Sequence, residues 1–313
     1  MIQTVTGAIE KIHGAVLMHE HISVSSLSFT KAFGKKWLDK AALKELAIET
    51  FKAVKEKYGV DLIVDATPID LGRDAELLKE VSIASGVKIV ASSGYYYLPS
   101  IETLNNSADE IAEWFIWECE NGIDGTGVKP GILKCATGVQ GLTEDNLKKL
   151  SAMGIVQRET GLPIYVHCEH YEDIAKKQIE ILTENGADAG KIIIGHTAMR
   201  FDADYLEEIL KIGCYICLDQ CHCFPQRLDD IAAALVTLCK KGYTGKIVLA
   251  NDYCIHNDFV NRKTNGLNIS VREHTDNFGY VFDNLQKPFI KMGGSEKDFD
   301  IMLCQNPKNI LNI

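Results

Sequence analysis

The chain has 313 residues, of which 46% are hydrophobic and 24% are charged, and this composition is typical of a globular protein with a large core. Its formal net charge is −10, and it contains no long block of lysines or arginines. These features argue against nucleic acid or an anionic membrane surface as the main partner. A small-molecule substrate is the better expectation.

The ends of the chain and its cysteines predict a cytoplasmic protein. The amino-terminal segment MIQTVTGAIEKIHG lacks the basic start and the apolar core of a secretory signal, and no apolar run is long enough for a membrane span. The ten cysteines are therefore expected to be reduced thiols. The sequence CHC at 221–223 could be half of a zinc site, but no second pair follows at zinc-finger spacing, so incidental thiols in a loop are the preferred interpretation.

Hydrophobic periodicity predicts eight alternations of strand and helix. In chain order, the predicted strands occupy residues 15–24, 60–67, 87–97, 131–138, 163–170, 191–197, 215–220 and 246–254. The predicted helices occupy residues 40–59, 74–86, 107–122, 143–161, 171–186, 202–213, 228–242 and 281–294. Most of these helices begin near Ser, Thr or Asp and end at Gly, as capping predicts. The strands are nearly continuous apolar runs, which is typical of parallel strands covered on both faces.

Eight strand–helix units in a chain of this length predict a single α/β domain, residues 1–313, folded as a closed (β/α)8 TIM barrel. The spacing from His21 to Asp252 averages about 33 residues per unit, the length of a βαβ repeat. The alternative, an open doubly wound sheet, would require a G-x-G-x-x-G fingerprint at the first turn. The sequence there is HEHISVSS.

Polar side chains follow the apolar runs of five predicted strands, where a barrel places its chemistry. On the first strand, His19 and His21 are two residues apart and so face one point in space. A lone histidine at a strand end is more often a hydrogen-bonded core residue, but six such side chains from five strands favour a metal centre. The candidate ligands are His19, His21, Lys134, His167, His196 and Asp252.

Four histidines and one aspartate exceed the three protein ligands that are usual for one catalytic zinc ion, so two divalent ions are expected. The ammonium of Lys134 would be repelled by two cations. A neutral Lys134 can instead add carbon dioxide and become a carbamate, an anion able to bridge the ions.

This pattern resembles the phosphotriesterase family of the amidohydrolase superfamily. The resemblance extends over nearly the whole chain and includes HEH, DAT, SGYYY, NGIDGT, GILKCATG, PIYVH, IIIGHT, LANDYC and LCQNPKNIL. It implies a homodimer with a binuclear centre, in which zinc is the default metal and manganese, cobalt or iron would suit the same ligands. By this resemblance, the more buried ion is held by His19, His21 and Asp252, the more exposed ion by His167 and His196, and carboxylated Lys134 and a hydroxide bridge the two.

The resemblance also implies catalytic roles for two residues. The bridging hydroxide would attack the substrate while Asp252 takes its proton and passes it to the leaving group. Family members that open acyl-homoserine lactones place a tyrosine near GYYY against the hydroxide, and Tyr96 meets that requirement. These members usually carry an arginine where Gln220 stands. Phosphotriester-hydrolysing members carry an Asp–His proton shuttle at the positions of Met199 and Gln220, so that shuttle is absent.

Cations in the loops that follow the strands predict an anionic substrate, since arginine suits bidentate recognition of phosphate or carboxylate. With Gln220, the predicted substrate-binding residues are Arg73, Arg200 and Arg262, and Lys263 and Arg272 lie in the last of these loops. The stretch DATPIDLGRD resembles family members that act on phosphorylated sugar lactones.

The expected function is therefore a binuclear-metal hydrolase of lactones or carboxylic esters, with phosphorylated sugar lactones as a subset. The alternatives are an organophosphate triester hydrolase and a catalytically silent ligand-binding member. The complete ligand set argues against the silent member, because loss of Lys134 or Asp252 would be its expected mark.

Overall fold

A computed structural model describes residues 1–170, 173–200, 202–259 and 266–313. The strands are Ile2–Thr4 (β1), Gly7–Ile9 (β2), Ala15–Val24 (β3), Val60–Asp65 (β4), Lys88–Gly94 (β5), Ile132–Thr137 (β6), Ile164–Cys168 (β7), Ile192–Ile194 (β8), Tyr215–Leu218 (β9), Ile247–Leu249 (β10) and Cys254–Asn257 (β11). The helices are Leu27–Phe33 (α1), Lys40–Tyr58 (α2), Ala75–Ser85 (α3), Ile101–Asn105 (α4), Ala108–Asn121 (α5), Glu144–Thr160 (α6), Ile174–Glu184 (α7), Ala203–Ile212 (α8), Leu228–Lys240 (α9), Val271–Phe278 (α10), Gln286–Lys291 (α11), Glu296–Asp300 (α12) and Asn306–Leu311 (α13). Among the helices of these residues, none combines the length and apolarity needed to cross a membrane.

The strands β3 to β10 form one parallel sheet in chain order, each paired with the next. The sheet closes because β10 is followed, after a short break, by β11, which pairs in parallel with β3 and places Cys254 opposite His21. The predicted (β/α)8 barrel is therefore confirmed. The single strand predicted for 246–254 is wrong in one respect, since the chain leaves the sheet at Ala250 and rejoins it at Cys254.

The helices begin and end where local chemistry favours it. Asp39 accepts a hydrogen bond from the amide of Ala42 at the start of α2, and α5 begins with a capping box formed by Ser107 and Glu110. At the end of α2, Gly59 adopts a left-handed conformation (φ 67°), which glycine accepts without steric cost. The capped starts fix where the loops above the strands end and the surrounding helices begin.

The barrel interior is apolar in its lower half, which is the half nearest the amino ends of the strands. This inner core is separate from the larger core between the strands and the helices. Residues of β1 and α13 belong to it, so these elements cover the lower end of the barrel. The buried members of the inner core are Ile2, Ile12, Val16, Met18, Leu62, Val64, Val90, Ile132, Tyr165, Ile193, Tyr215, Cys217, Val248, Ala250, Ile310 and Leu311.

A β-bulge in β3 changes which side chains face the interior. Leu17 pairs with Ile63, but the next paired residue, Glu20, lies opposite Asp65, so three steps on β3 match two steps on β4. The alternation of inward and outward side chains therefore shifts by one residue at Met18. Met18 packs in the inner core, and the histidines beyond the bulge also face inward.

Candidate metal centre

Three neighbouring strands lead into residues with left-handed backbone conformations. They are His196 (φ 58°), Gln220 (φ 55°) and Asp252 (φ 53°), just beyond β8, β9 and β10. This conformation is uncommon for residues other than glycine, and such strain concentrates at functional sites. It turns the chain abruptly at the carboxyl end of each strand, where these side chains meet the polar side chains of β3, β6 and β7.

The first group of candidate ligands comprises His19, His21 and Asp252. The Nε2 atoms of the two imidazoles are 3.2 Å apart, and Asp252 Oδ1 lies 3.3 Å from His19 Nε2 and 3.2 Å from His21 Nε2. The Nζ atom of Lys134 lies 3.0 Å from His19 Nε2. Three donor atoms of the kind that divalent metals prefer therefore converge, with the lysine beside them.

The second group comprises His167 and His196, whose Nδ1 and Nε2 atoms, respectively, are 2.6 Å apart. The remaining ring nitrogen of His167, Nε2, lies 3.5 Å from Glu169 Oε1. The Nδ1 atom of His196 lies 3.1 Å from Asp219 Oδ1 and 3.6 Å from Asp252 Oδ2. Asp252 is thus close to both groups, and the structure brings all six predicted ligands into one cluster.

Asp219 orients imidazoles in both groups and was missed by the sequence analysis. Its carboxylate accepts hydrogen bonds from His19 Nδ1 at 2.9 Å, from His196 Nδ1 and from the hydroxyl of Tyr165. These bonds place the N–H of each imidazole on Nδ1 and leave the lone pair of Nε2 directed into the cluster. The signal that identified His167, a polar residue directly after an apolar strand, also applies to Asp219 after YICL.

Thr67 performs a similar role for His21, since its Oγ1 atom lies 2.7 Å from His21 Nδ1. The hydroxyl also lies near the carbonyl oxygen of Ser23. Thr67 is the last residue of the DAT stretch, but its contact with His21 could not be read from the sequence, because it depends on how β4 pairs with β3.

The electrostatics of the cluster fit metal binding. Burial lowers the pKa of His19 to about 3 and that of His167 to about 3, so both imidazoles are neutral and available as ligands at neutral pH. Burial favours a lower pKa for His196 too, but the neighbouring carboxylates of Asp219 and Asp252 together raise this pKa above its usual value. Burial lowers the pKa of Lys134 to about 8. The neutral imidazoles of His19 and His167, beside buried Asp219 and half-buried Asp252, are donors suited to divalent cations.

The cluster forms the floor of a cavity of about 480 Å³. Tyr96 and Gln220 line this cavity, as does His222. The ring of Tyr96 lies with its centroid 5.0 Å from that of His167, and Gln220 Nε2 donates a 2.6 Å hydrogen bond to Asp252 Oδ2. The remaining wall residues are Val24, Leu71, Tyr97, Leu98, Cys223, Cys254, Asn257 and Phe259. Apart from Lys134, the described lining residues include no lysine or arginine.

Arg73 and Arg200, two of the arginines predicted to bind substrate, are not among the described lining residues of this cavity. Arg73 is buried, and its guanidinium contacts Glu118 at 2.7 Å and Asp124 at 2.8 Å, so the expectation of a substrate-binding rim residue is wrong for this position. The guanidinium of Arg200 lies 3.6 Å from the centre of the Tyr205 ring.

The last predicted loop contributes no described cation to the cavity. Arg272 lines a separate surface groove of about 960 Å³ between α2 and α10. Arg262 and Lys263 lie outside the described residues.

The CHC sequence forms part of the cavity wall. Cys221 is buried, whereas His222 and Cys223 line the cavity. Within the described ranges, the clusters of three possible ligand side chains are His19–His21–Asp252 and His19–His196–Asp219, and neither contains a cysteine. The described cysteines are free thiols.

The fold and this cluster define the class as a (β/α)8-barrel protein with a candidate metal centre at the carboxyl ends of its strands. The model of the phosphotriesterase family matches residues 1–311, and the chain belongs to that family. The family resemblance of the sequence is thereby confirmed, and members of the family are hydrolases.

Comparisons with individual proteins agree with this assignment. The chain is 35% identical over 246 residues to an aryldialkylphosphatase of Saccharolobus solfataricus, and the match covers 77% of each chain. It is 26% identical over 350 residues to an N-acetyltaurine hydrolase of Xenopus tropicalis, covering 99% of this chain and 97% of that protein. The solved structure of the phosphotriesterase from Mycobacterium tuberculosis matches with a TM-score of 0.88 at 27% identity and covers 99% of this chain and 98% of that chain.

Proposed function

We propose that the protein is a metal-dependent hydrolase that opens lactones or cleaves carboxylic esters. In this proposal two divalent ions, zinc by default, are held by the six clustered side chains, and Lys134 is carboxylated by carbon dioxide. The carbamate replaces a positive charge with a negative one beside His19, which favours two cations in the same cluster. This proposal is supported by the convergent donor atoms described above and by the lowered pKa values of His19 and His167.

Two ions held there would polarise the substrate carbonyl and make water nucleophilic near neutral pH. The protein's own contribution is to hold and move the proton. Asp252 contacts imidazoles of both groups, with Oδ1 3.3 Å from His19 Nε2 and Oδ2 3.6 Å from His196 Nδ1, and Oδ2 is the oxygen that faces Gln220. Oδ2 is therefore the oxygen suited to take a proton from water and return it to the leaving group.

The contact between Gln220 and Asp252 is the observation that favours lactones. An amide cannot relay a proton, because it has no group that titrates near neutral pH. A proton on Asp252 therefore has to leave by a local route. In lactone opening the alkoxide stays tethered to the product and can collect this proton inside the cavity, whereas the leaving group of a triester departs.

The cavity wall supports a neutral substrate with an apolar substituent. Tyr97, Leu98 and Phe259 present ring and alkyl surface to the cavity, while Arg73 and Arg200 contact other groups. An apolar substituent gains from burial against such a wall, but a phosphate would lack a described cation to pair with. Neutral lactones are therefore proposed ahead of phosphorylated sugar lactones.

A substrate panel with the zinc-loaded and manganese-loaded protein tests this proposal. The panel contains neutral lactones, phosphorylated sugar lactones, aryl esters, N-acyl amides and paraoxon. We expect kcat/KM for the best lactone to exceed that for paraoxon by at least about a hundredfold, equivalent to roughly 2.7 kcal/mol. Metal analysis should find two ions per chain. Equal or better activity on paraoxon would overturn the lactone assignment.

The matched variant for this panel is Gln220→His, which places an ionisable ring beside Asp252. We expect the ratio of lactone to paraoxon activity to fall in this variant, because an imidazole can relay the proton outward. An unchanged ratio would show that Gln220 does not determine the preference.

Two alternatives remain as outcomes of the same panel. Similarity to an aryldialkylphosphatase favours the organophosphate triester hydrolase, and turnover of paraoxon tests this alternative. Absence of turnover with any substrate and metal would indicate the catalytically silent member.

We also propose that the protein is a homodimer, and sedimentation equilibrium of the full chain tests this proposal.

A further inference from the structure

Glu20 lies between the two histidines of HEH, and its side chain faces away from the cluster of candidate ligands. Because successive side chains on a strand point to opposite faces, Glu20 projects outward when His19 and His21 project inward. Its side chain is fully buried. A buried carboxylate is costly unless it is hydrogen-bonded, so its partners identify what it does.

The carboxylate of Glu20 binds the two residues that flank Asp252. Its Oε1 atom accepts hydrogen bonds from the backbone N–H of Asn251 at 2.7 Å and from the side-chain amide of Asn251 at 2.9 Å. Its Oε2 atom accepts from the backbone N–H of Tyr253 at 2.9 Å. The N–H of Asp252 itself donates to the carbonyl of His19 at 2.9 Å. The backbone N–H groups of residues 251–253 are therefore all bound by His19 and Glu20, two consecutive residues of β3.

Hydrogen bonds from the surrounding helices also hold Asn251 in its contact with Glu20. The side-chain amide of Asn251 also donates to the carbonyl of Phe278 at 2.6 Å, and the N–H of Val281 donates to Asn251 Oδ1 at 3.1 Å. Asn251 is itself buried. Glu20 thus connects β3, the break between β10 and β11, and the end of α10.

These hydrogen bonds hold the chain on both sides of Asp252, whose left-handed backbone conformation (φ 53°) is strained for a residue other than glycine. Such a conformation persists only where surrounding contacts hold it. Glu20 holds the backbone N–H of the residue on each side, and Asp252 Oδ1 lies 3.3 Å from His19 Nε2 and 3.2 Å from His21 Nε2.

We propose that Glu20 is a positioning residue that fixes Asp252 relative to His19 and His21, and thereby assembles the first ligand group before any metal binds. Glu20 contacts neither the ligand atoms nor the cavity. The inference rests on the proposed function, since it assumes that these three side chains bind an ion.

Glu20→Gln is the most informative variant, because it preserves shape and burial. One carboxylate oxygen becomes an N–H2 group, which cannot accept a hydrogen bond and meets either the N–H of Tyr253 or that of Asn251. One of the two backbone N–H groups that flank Asp252 thereby loses its partner. The matched control is Asn306→Ala, which removes two hydrogen bonds, from the buried Asn306 to the carbonyls of Thr244 and Ile247 at the opposite end of β10.

The measurement is zinc titration of the metal-free full chain in competition with a chelator. For Glu20→Gln we expect affinity at the tighter site to fall by at least about tenfold, the range seen for groups that orient ligands. Asn306→Ala should keep wild-type affinity while its unfolding temperature falls. At saturating zinc, kcat of Glu20→Gln should return to within about threefold of wild type, since Glu20 touches no reacting atom.

Wild-type zinc affinity in folded Glu20→Gln would overturn the inference and leave Glu20 as a barrel-closing residue only. If this variant does not fold, Asn251→Ala is tested instead, because it removes one of the three donors to Glu20. We expect zinc affinity to fall about threefold in this variant. Unchanged affinity there would also overturn the inference. A wild-type chain that binds no zinc would instead contradict the proposed function, so the two failures are distinguishable.

Discussion

The two layers of side chains inside the barrel differ in chemistry although both are largely buried and follow one another along the same strands and their carboxyl ends. On β6, Ile132 belongs to the lower, apolar layer, and Lys134 two residues later belongs to the upper layer. On β9 the same step leads from Cys217 to Asp219. Apart from the Tyr165 hydroxyl, which donates to Asp219, the lower layer is held by packing, whereas members of the upper layer are held by polar partners.

This difference predicts how each layer tolerates change. Removing a methyl group from the lower layer loses contact area and leaves a small cavity. Removing one partner from the upper layer leaves another buried polar group unsatisfied, which costs more and changes the geometry of its neighbours. Substitutions in the upper layer should therefore abolish function, and those in the lower layer should alter only stability.

Lys134→Ala should have the largest effect. It removes the group proposed to bridge two ions, so we expect kcat/KM for the best lactone to fall by at least about a thousandfold, equivalent to roughly 4 kcal/mol. Metal analysis should show that the bound metal also decreases, and a short carboxylic acid should restore part of the activity. Wild-type turnover in this variant would remove the carbamate bridge from the mechanism.

Asp219→Asn should have the next largest effect. The amide can no longer accept hydrogen bonds from His19, His196 and Tyr165 together, so we expect metal affinity to fall by about a hundredfold, at the upper end for such orienting groups. Titration with metal in competition with a chelator measures this affinity. Tyr165→Phe is the control, since it removes one donor and keeps the carboxylate. An equal loss in both variants would show that the charge of Asp219 is not what orients the imidazoles.

The buried His170 should make stability depend on pH. Its Nε2 atom donates to the carbonyl of Gly195, and burial lowers its pKa to about 4 from 6.5. Above pH 6.5 both folded and unfolded states are neutral at this position, so it contributes no pH dependence. Between pH 6.5 and 4 the unfolded state binds a proton that the folded state rejects, so stability falls as the pH falls.

By pH 5 this contribution should amount to about 2 kcal/mol. Urea unfolding of the metal-free protein at pH 7.5 and pH 5 measures the total change, to which other buried histidines add. His170→Gln keeps an N–H donor but cannot titrate, so its change between the two pH values should be about 2 kcal/mol smaller. Identical changes in both proteins would show that His170 titrates normally when folded.

Ile132→Val should have the smallest effect and completes the comparison on β6. The free energy of unfolding should fall by about 1 kcal/mol, the usual cost of one buried methyl group. Zinc affinity and kcat should match those of the wild type. A loss of zinc affinity here would mean that the two layers are mechanically coupled and that their separation is incorrect.

The sequence alone predicted the barrel and the strand-end side chains, because both follow from local pattern. Apolar runs alternating with capped helices specify eight strand–helix units, and parallel strands bring their carboxyl ends to one edge. Any polar residue just beyond such a run must lie at that edge. This is why the sequence predicts one site for His167 and Asp252, which are far apart in the chain, and why the same pattern applies to Asp219.

Only the tertiary structure decided the contacts that depend on register, bulges and loop paths. The bulge at Met18 turns His19 inward, the pairing of β4 with β3 brings Thr67 to His21, and the return of β11 to β3 brings Asn251 to Glu20. Loop cations obey no such periodicity, so Arg73 was expected at the rim and lies buried between carboxylates. Periodicity constrains a side chain that follows a strand, whereas a loop side chain is placed by whichever partners the completed fold brings near it.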